Sequence, residues 1–582
     1  MSTRRPTASP DLLAAVIEST PDRVRRRLDR TPDLAESWDW RPGESAWMVE
    51  TGGETVTLPH GRVTAVEQVT CTCLLSPRCF HVLACLTRLE VVDDEAGPAG
   101  DAEPIAAEPS EPEGREEPTP GQRRAASEVA RSVTPLLRVG VANGGVVLQS
   151  GLLRAVHGCR AEGLHRLAAL GLRVVAGIGE VRSRAPSADP EALAEDIADL
   201  LETCAQVLRD GPVAGHWIGT ARRQQLPVTP RRLLGLFAEP IVTRSGYAGA
   251  AVYFLGGDGR FYTASDVRPG EAQHAREVYL GGVEIGPLIQ PARQLARGAY
   301  LGTDLTASSD GRLGRGKGAQ IVEQGPSSWR TEAIEERFRR PLSAQWEAVL
   351  AESSRPIDLR AAGWDLVFLE GKVLGAAGPV LFLQPAEVGR TIGLVIENES
   401  EGLFFRENLR MLAHAPGLRL KVIGRVNPVE PRTVAPLAIA NADDSEAEDA
   451  PRLDLPGSWG DRVCLGFDEI QRPHLRNARE SALVLNVPLA PPEDPLAPLR
   501  RRWIATMLSG VSSPRLASSN RLAIETSALH RGGYTTGASL LDALSREPAA
   551  AGPTGSDAFL AAAIYLRACA LERARVELSL EG

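Results

Sequence analysis

Nowhere in the 582 residues does an apolar run approach the roughly 18 residues that span a bilayer. The N-terminal stretch MSTRRPTASPDLLAAVIEST has a single apolar run, Leu12 to Ile17, bracketed by Asp11 and Glu18, so it offers no secretory signal core. Lysine is almost missing. Of the 65 basic residues 62 are Arg, which with abundant Ala, Gly and Pro points to a GC-rich genome rather than to a chemical need. Eight cysteines over this length are too sparse for a disulfide scaffold. These absences lead to the expectation of a cytoplasmic chain without a membrane partner. The length leads to an expectation of roughly two to four domains.

An excess of positive charge is also lacking. The net charge is −9, and residues 93–117 alone hold ten acids and one Arg. The remainder carries 64 acids and 64 bases, so composition does not favour a general nucleic-acid binder. The first 90 residues hold 11 Arg and 12 acids, with no basic stripe.

The hydropathy pattern is that of a multidomain α+β protein. Residues 1–92 open with one or two short helices over 10–30, followed by 45-SAWMVETGGETVTL-58, which predicts a β-hairpin turning at Gly52-Gly53. A third strand is expected over 62–73 and a short amphipathic helix over 81–92. Residues 93–122, acidic and without aromatics, read as a disordered linker. Residues 123–215 are helical in pattern. The clearest case is 189–210, where Asp189 caps, Pro190 takes the first helical position and Leu193, Ile197, Leu200, Leu201, Cys204 and Leu208 form one stripe. Residues 216–475 are β-rich, with a strong hairpin over 251–267 at Asp258-Gly259 and strand-like runs at 365–375, 379–385, 392–398 and 418–426. Short strands separated by glycines suggest a small barrel or sandwich, or two barrels. Residues 441–452 form a shorter acidic break, residues 476–582 are mainly helical, and no repeat of fixed period is visible.

Four of the eight cysteines and one histidine crowd into 70-TCTCLLSPRCFHVLACL-86. Cys71 and Cys73 are two apart, so on a strand their sulfurs share a face. Five residues later, past Pro77, Cys79 and His81 are again two apart, at the mouth of the expected helix. Three thiolates and an imidazole make a Cys3His set, a common structural site for tetrahedral zinc that leaves no open position for water or substrate. Two weaker readings compete. Reduced cysteines are frequent core residues, and a dithiol can serve redox chemistry, although C-x-C lacks the usual C-x-x-C spacing. Cys85 lies one helical turn beyond His81 and reads as core, since the set is complete without it.

The pattern C-x-C-x5-C-x-H, filled by Cys71, Cys73, Cys79 and His81, resembles the SWIM zinc-finger family, as does the ββα layout of about 45–90. The resemblance implies a structural Zn2+ on those four residues and a module that binds protein or DNA. The chain as a whole is similar to large bacterial SWIM-finger proteins often encoded beside MoxR-type AAA ATPases and von Willebrand A proteins. That similarity implies a component of such an ATPase system as partner.

Other signals do not mature into sites. Gly311 to Lys317 matches the first seven positions of a phosphate-binding loop, but Gly318 stands where the magnesium ligand Ser or Thr is needed. His157, Cys159 and His165 have no fourth donor nearby, and Cys204, Cys464 and Cys569 read as core or strand. No G-x-S-x-G, H-E-x-x-H or G-x-G-x-x-G motif occurs, which argues against an enzyme. The expectation is a non-enzymatic, zinc-holding module that recruits a protein partner. The alternative is a DNA- or RNA-binding protein in which Tyr253, Phe254, Phe261 and Tyr262 on an OB-like barrel stack on bases.

Overall fold

The computed structural model describes residues 5–8, 12, 16, 24, 32–43, 46–77, 79–91, 114–185, 188–220, 226–228, 232–243, 246–314, 318–353, 355–356, 359–385, 391–397, 399–428, 432–442, 450–478, 494–510, 519–545 and 555–579. The helices expected over 10–30 and most of the acidic linker lie outside them. The chain forms two compact units. One comprises residues 1–104 and 224–487, the other residues 105–223 and 488–581.

The first unit begins with a small sheet of four strands, β1 (Asp39–Pro42), β2 (Ala46–Glu50), β3 (Thr55–Pro59) and β4 (Thr70–Cys71), paired antiparallel in that order. Alternation drives it: Trp47, Val49, Val56 and Leu58 point inward, while Met48 is exposed. Helix α1 (Phe80–Leu86) covers the inner face. The third strand expected over 62–73 is broken. Arg62–Val63 pairs with Thr7–Ala8, a 3-10 turn takes Val66–Gln68, and only Thr70–Cys71 joins the finger sheet. The expected helix over 81–92 stops at Leu86, and Glu90–Val91 turns to pair with Thr7–Ala8.

The middle of this unit holds two sheets of the same design. In the first, β5 (Arg232–Val242), β6 (Tyr247–Gly256) and β7 (Phe261–Pro269) form a meander. Helix α2 (Ala272–Leu280) follows, and β8 (Gly298–Thr303) and β9 (Gln320–Pro326) return on the other side of β5. The order is β7-β6-β5-β8-β9, and Arg312 makes a parallel bridge back to Thr263 of β7. Helices α3 (Glu332–Arg339) and α4 (Leu342–Ser353) lead to the second sheet, formed by β10 (Leu366–Ala377), β11 (Val380–Pro385) and β12 (Ile392–Leu394). Helix α5 (Phe405–Ala413), β13 (Arg419–Val426) and β14 (Thr433–Asn441) complete it. Here the parallel pairing of Gly393 and Leu394 with Thr433 and Val434 closes the five strands into a barrel, and β15 (Arg462–Cys464) adds to the edge of β14. Bulges between Val373 and Gly375 and between Ile423 and Gly424 give the strands the bend that closure needs. The β-rich, barrel-like middle read from the sequence is therefore present.

One apolar core runs through both sheets and includes Phe237, Phe254 and Tyr300 of the first with Phe368, Ile423 and Leu437 of the second. Strands β5 and β6 are buried almost end to end on both faces. That is why 250-AAVYFL-255 reads as a continuous apolar run rather than an alternating one. Arg462 is wholly buried at this junction, donating to the carbonyls of Gly235, Leu236 and Ser327 and to the Asp461 carboxylate.

The second unit is helical and is built from two separated stretches of chain. Helices Pro120–Val139, Val146–Ala161, His165–Ser183 and Pro190–Leu208 share one core with Ala497–Ser509, Thr535–Ala543 and Gly555–Ser579. The predicted cap is present: Asp189 accepts from the Glu191 and Ala192 N–H groups. The stretches are joined where two helix ends meet. Gly140 and Gly510 both adopt positive φ, and Val141 and Ala142 donate to the Met507 and Leu508 carbonyls. A Cβ on Gly140 would lie 2.3 Å from the Ser509 carbonyl carbon, so the strained φ and the clash act together. Gly140→Ala is expected to destabilise this unit by about 2 kcal/mol or more, read from urea unfolding; an unchanged midpoint would mean that the helix ends separate freely.

Candidate metal centre

Each of the four predicted ligands is held by its own local structure. Cys71 ends β4, opposite Val56 of β3, and its N–H donates to Ser76 Oγ at 3.1 Å. The Thr72 N–H donates to the Thr55 carbonyl, and the Thr55 N–H returns a bond to Thr72 Oγ1 at 2.9 Å, which pins the chain to the hairpin as the knuckle begins. Cys73 therefore lies in the turn after β4, not on the strand that its spacing suggested, and the Ser76 N–H closes that turn on the Cys73 carbonyl at 3.2 Å. Cys79 is the N-cap of α1. Its sulfur accepts from the Val82 N–H at 3.4 Å, so one side chain both caps the helix and faces the cluster.

His81 sits in the first turn of α1. Its ring lies 5.9 Å from Trp38 and 5.9 Å from Phe80, centroid to centroid, tilted against the first and edge-on to the second, so two aromatic rings confine the imidazole. Trp38 precedes β1, and its role was not legible in the motif. The finger extends N-terminally past residue 45, with the Trp40 indole N–H bonded to the Ala35 carbonyl at 2.8 Å.

The ligand atoms of Cys71, Cys73, Cys79 and His81 all lie within 4.8 Å of one another, and Cys71 Sγ is 3.8 Å from His81 Nδ1. A tetrahedral ion with Zn–S bonds of about 2.3 Å sets its sulfurs about 3.8 Å apart, so the cluster is of the size such an ion needs. Among the described residues this is the one group of His, Cys, Asp or Glu side chains close enough to share an ion. Comparison with family models, curated proteins and solved structures finds no match for this chain. The cluster must therefore be read from its own chemistry. It offers three sulfurs and one nitrogen and no carboxylate, a set that suits a thiophilic ion and not magnesium or calcium.

The thiols respond unequally to their surroundings. Burial pushes the Cys71 thiol up to about 12, and burial also raises Cys79. Burial works to raise Cys73 as well, but the Leu75 N–H and the neighbouring Cys79 and Cys71 side chains outweigh it and hold Cys73 below the usual thiol value. A metal ion must displace protons from Cys71 and Cys79 to bind, so uptake releases protons. Cys85 is fully buried in the core beneath α1, which together with the nearby Cys71 and Cys79 raises its thiol far above the usual value.

The other sequence candidates stay apart. Cys159 is buried in the helical unit, its thiol pushed up to about 12 by burial. His157 lies on the same helix, and His165 begins the next. Gly311 and Arg312 lie in a turn beside β7, and Arg315 to Lys317 fall outside the described residues.

The finger is seated on the first sheet of the middle region. Leu301 of β8 and Val322 of β9 belong to the finger's own apolar core. Arg88, just after α1, is almost fully buried and donates to the Gln324 carbonyl at 3.0 Å and to Glu36 at 3.1 Å. No motif announced this base; the nearest signal was the apolar character of β8 and β9.

Proposed function

We propose that the chain is a zinc-binding, non-enzymatic interaction protein of the SWIM type, whose metal-fixed knuckle docks on a protein partner. One observation carries the reading. Leu74 is 103% exposed and Leu75 is 69% exposed, side by side between Cys73 and Cys79. Exposed apolar residues scattered singly need no explanation, but a leucine pair on a turn held by four metal ligands is a pre-organised apolar contact. Leu74 is the most exposed of the large apolar residues described.

The aromatic residues that a nucleic-acid reading requires are engaged elsewhere. Tyr253, Phe254 and Tyr262 are buried, and Phe261 is stacked on Phe368 at 5.9 Å with the Arg337 guanidinium over its face. This supports a protein over a single-stranded nucleic acid. The shared core of the finger with Leu301 and Val322 supports a knuckle held in a fixed orientation on the first sheet. The resemblance of the C-x-C-x5-C-x-H spacing to SWIM fingers is what suggests a MoxR-type AAA ATPase, or its von Willebrand A companion, as the partner.

The test is co-purification of the full-length protein and of Leu74→Ser/Leu75→Ser, with and without nuclease. The double variant is expected to keep its metal and lose the partner, and nuclease to change nothing. Recovery that depends on nuclease treatment, or a partner retained by the double variant, would reject the docking role.

A further inference from the structure

A groove of different chemistry lies away from the finger residues. Two cavities of about 560 and 760 Å³ share Val242, Thr243 and Ser400 and so form one groove, where the end of β5 meets the chain after β12. Its floor is apolar, from Pro240, Ile241, Val395, Ile396, Phe405 and Leu437. Among the described residues its charged lining is lopsided. Glu239, Glu397, Glu399, Glu271, Glu277 and Glu401 face it, against Arg425 and Arg276. Outside residues 93–117 the chain holds equal numbers of acids and bases, so this concentration is local.

The two guanidiniums are already committed. Arg425 binds Glu239 through two nitrogens, at 3.0 and 3.2 Å, and Asp365 through Nε at 2.6 Å. Arg276 lies 4.8 Å over the Phe404 ring. Of the acids, Glu399 pairs with Arg406 and Glu277 with His274. Glu397, Glu401 and Glu271 make no side-chain hydrogen bond or ion pair among the described residues. Burial raises the Glu397 carboxyl, with Arg425 opposing that rise and Asp365 and Glu239 adding to it. A cationic group placed there would relieve that carboxylate.

We infer that this groove binds an extended polypeptide segment that carries arginine or lysine beside apolar side chains. The charge selects the occupant. Phosphate backbones are repelled by uncompensated carboxylates, whereas guanidinium and ammonium groups form charge-assisted bonds with them. The apolar floor then receives the intervening side chains, the usual division between affinity and register in peptide grooves. This inference rests on the reading of the chain as a protein-binding protein, and it uses a surface independent of the knuckle.

The experiment measures binding of a short fluorescent peptide of arginines and leucines to the full-length protein by anisotropy. Its glutamate-for-arginine counterpart serves as a control. Glu397→Gln/Glu401→Gln is expected to weaken binding about tenfold with an unchanged melting temperature, and the glutamate peptide not to bind. Glu116→Gln/Glu117→Gln removes the same charge from the acidic segment and is expected to leave binding unaltered. Equal losses in the two double variants would reduce the effect to general attraction and overturn the groove. So would an absence of loss in the first. Leu74→Ser/Leu75→Ser is expected to bind the peptide normally, so failure of the knuckle reading and failure of the groove are told apart.

Discussion

Cys79→Ser is expected to lower bound metal from about one ion per chain to near none, and the finger to lose its order with it. The substitution separates the helix cap at Cys79 from the metal ligation proposed for it. Serine is itself a good helix cap, so the bond from the Val82 N–H survives, whereas the fourth metal bond does not. A lost cap costs about 1 kcal/mol, while a structural zinc contributes an apparent 10–16 kcal/mol, roughly, in small finger domains. The metal contribution therefore dominates. Hydrogen exchange is expected to rise over 46–86 and at β8 and β9, because Leu301 and Val322 lose the core they share with the finger. Chelation of the unmodified protein is expected to reproduce that pattern. Metal content measured by atomic spectrometry that stayed unchanged in Cys79→Ser would remove the four-ligand assignment.

The second large effect is expected at Arg462. Replacing it by Met, which keeps much of the volume, removes the donor shared by the Gly235, Leu236 and Ser327 carbonyls and the Asp461 carboxylate, and leaves Gly235 and Leu236 with only the Ser327 hydroxyl and the Trp329 indole N–H. Leaving a buried carbonyl short of its donor costs about 1–3 kcal/mol, and the remaining Asp461 carboxylate keeps the Ser328 hydroxyl and the Trp329 N–H. Lysine is not expected to rescue, since it lacks the planar fork that reaches several acceptors at once. Burial would raise the Asp461 carboxyl, yet Arg462, the Ser328 hydroxyl and the Trp329 N–H together hold it below the usual value. The stability conferred by Asp461 is thus present above the ordinary carboxylate range and is lost as pH falls through its depressed value. Urea unfolding of Arg462→Met at neutral pH measures the cost; a midpoint within error of the parent would show that water replaces the guanidinium.

Local signals carried the parts of this fold that are local. The hairpin at Gly52-Gly53, the hairpin at Asp258-Gly259, the cap at Asp189 and the Cys-Cys-Cys-His spacing each depend on neighbours within a few residues, and each is in place. The strands β10 to β13 were legible because each is a compact apolar run bounded by turns. What escaped depends on distance along the chain. The common strand order of the two middle sheets left no fixed period, because the segment between the helix and the last two strands is longer in the first than in the second. Helices α2 to α5 were hidden inside a region read as β-rich, since each is short and packs on a sheet. The interruption between Val63 and Thr70 escaped for a related reason: pairing with Thr7–Ala8 captures Arg62–Val63, and a local propensity scale contains no such competitor.

The helical unit draws its core from residues on both sides of the region containing the two middle sheets, so its halves are made at different times. At about 5–20 residues per second, the helices up to Leu208 leave the ribosome tens of seconds before Ala497–Ser509 exists to meet them. Through that interval Trp503 and Phe559 are not yet there to cover Leu136, Leu200 and their neighbours. Early in its life the nascent chain thus displays a half-built helical layer whose completion waits for the helices from Ala497 onward.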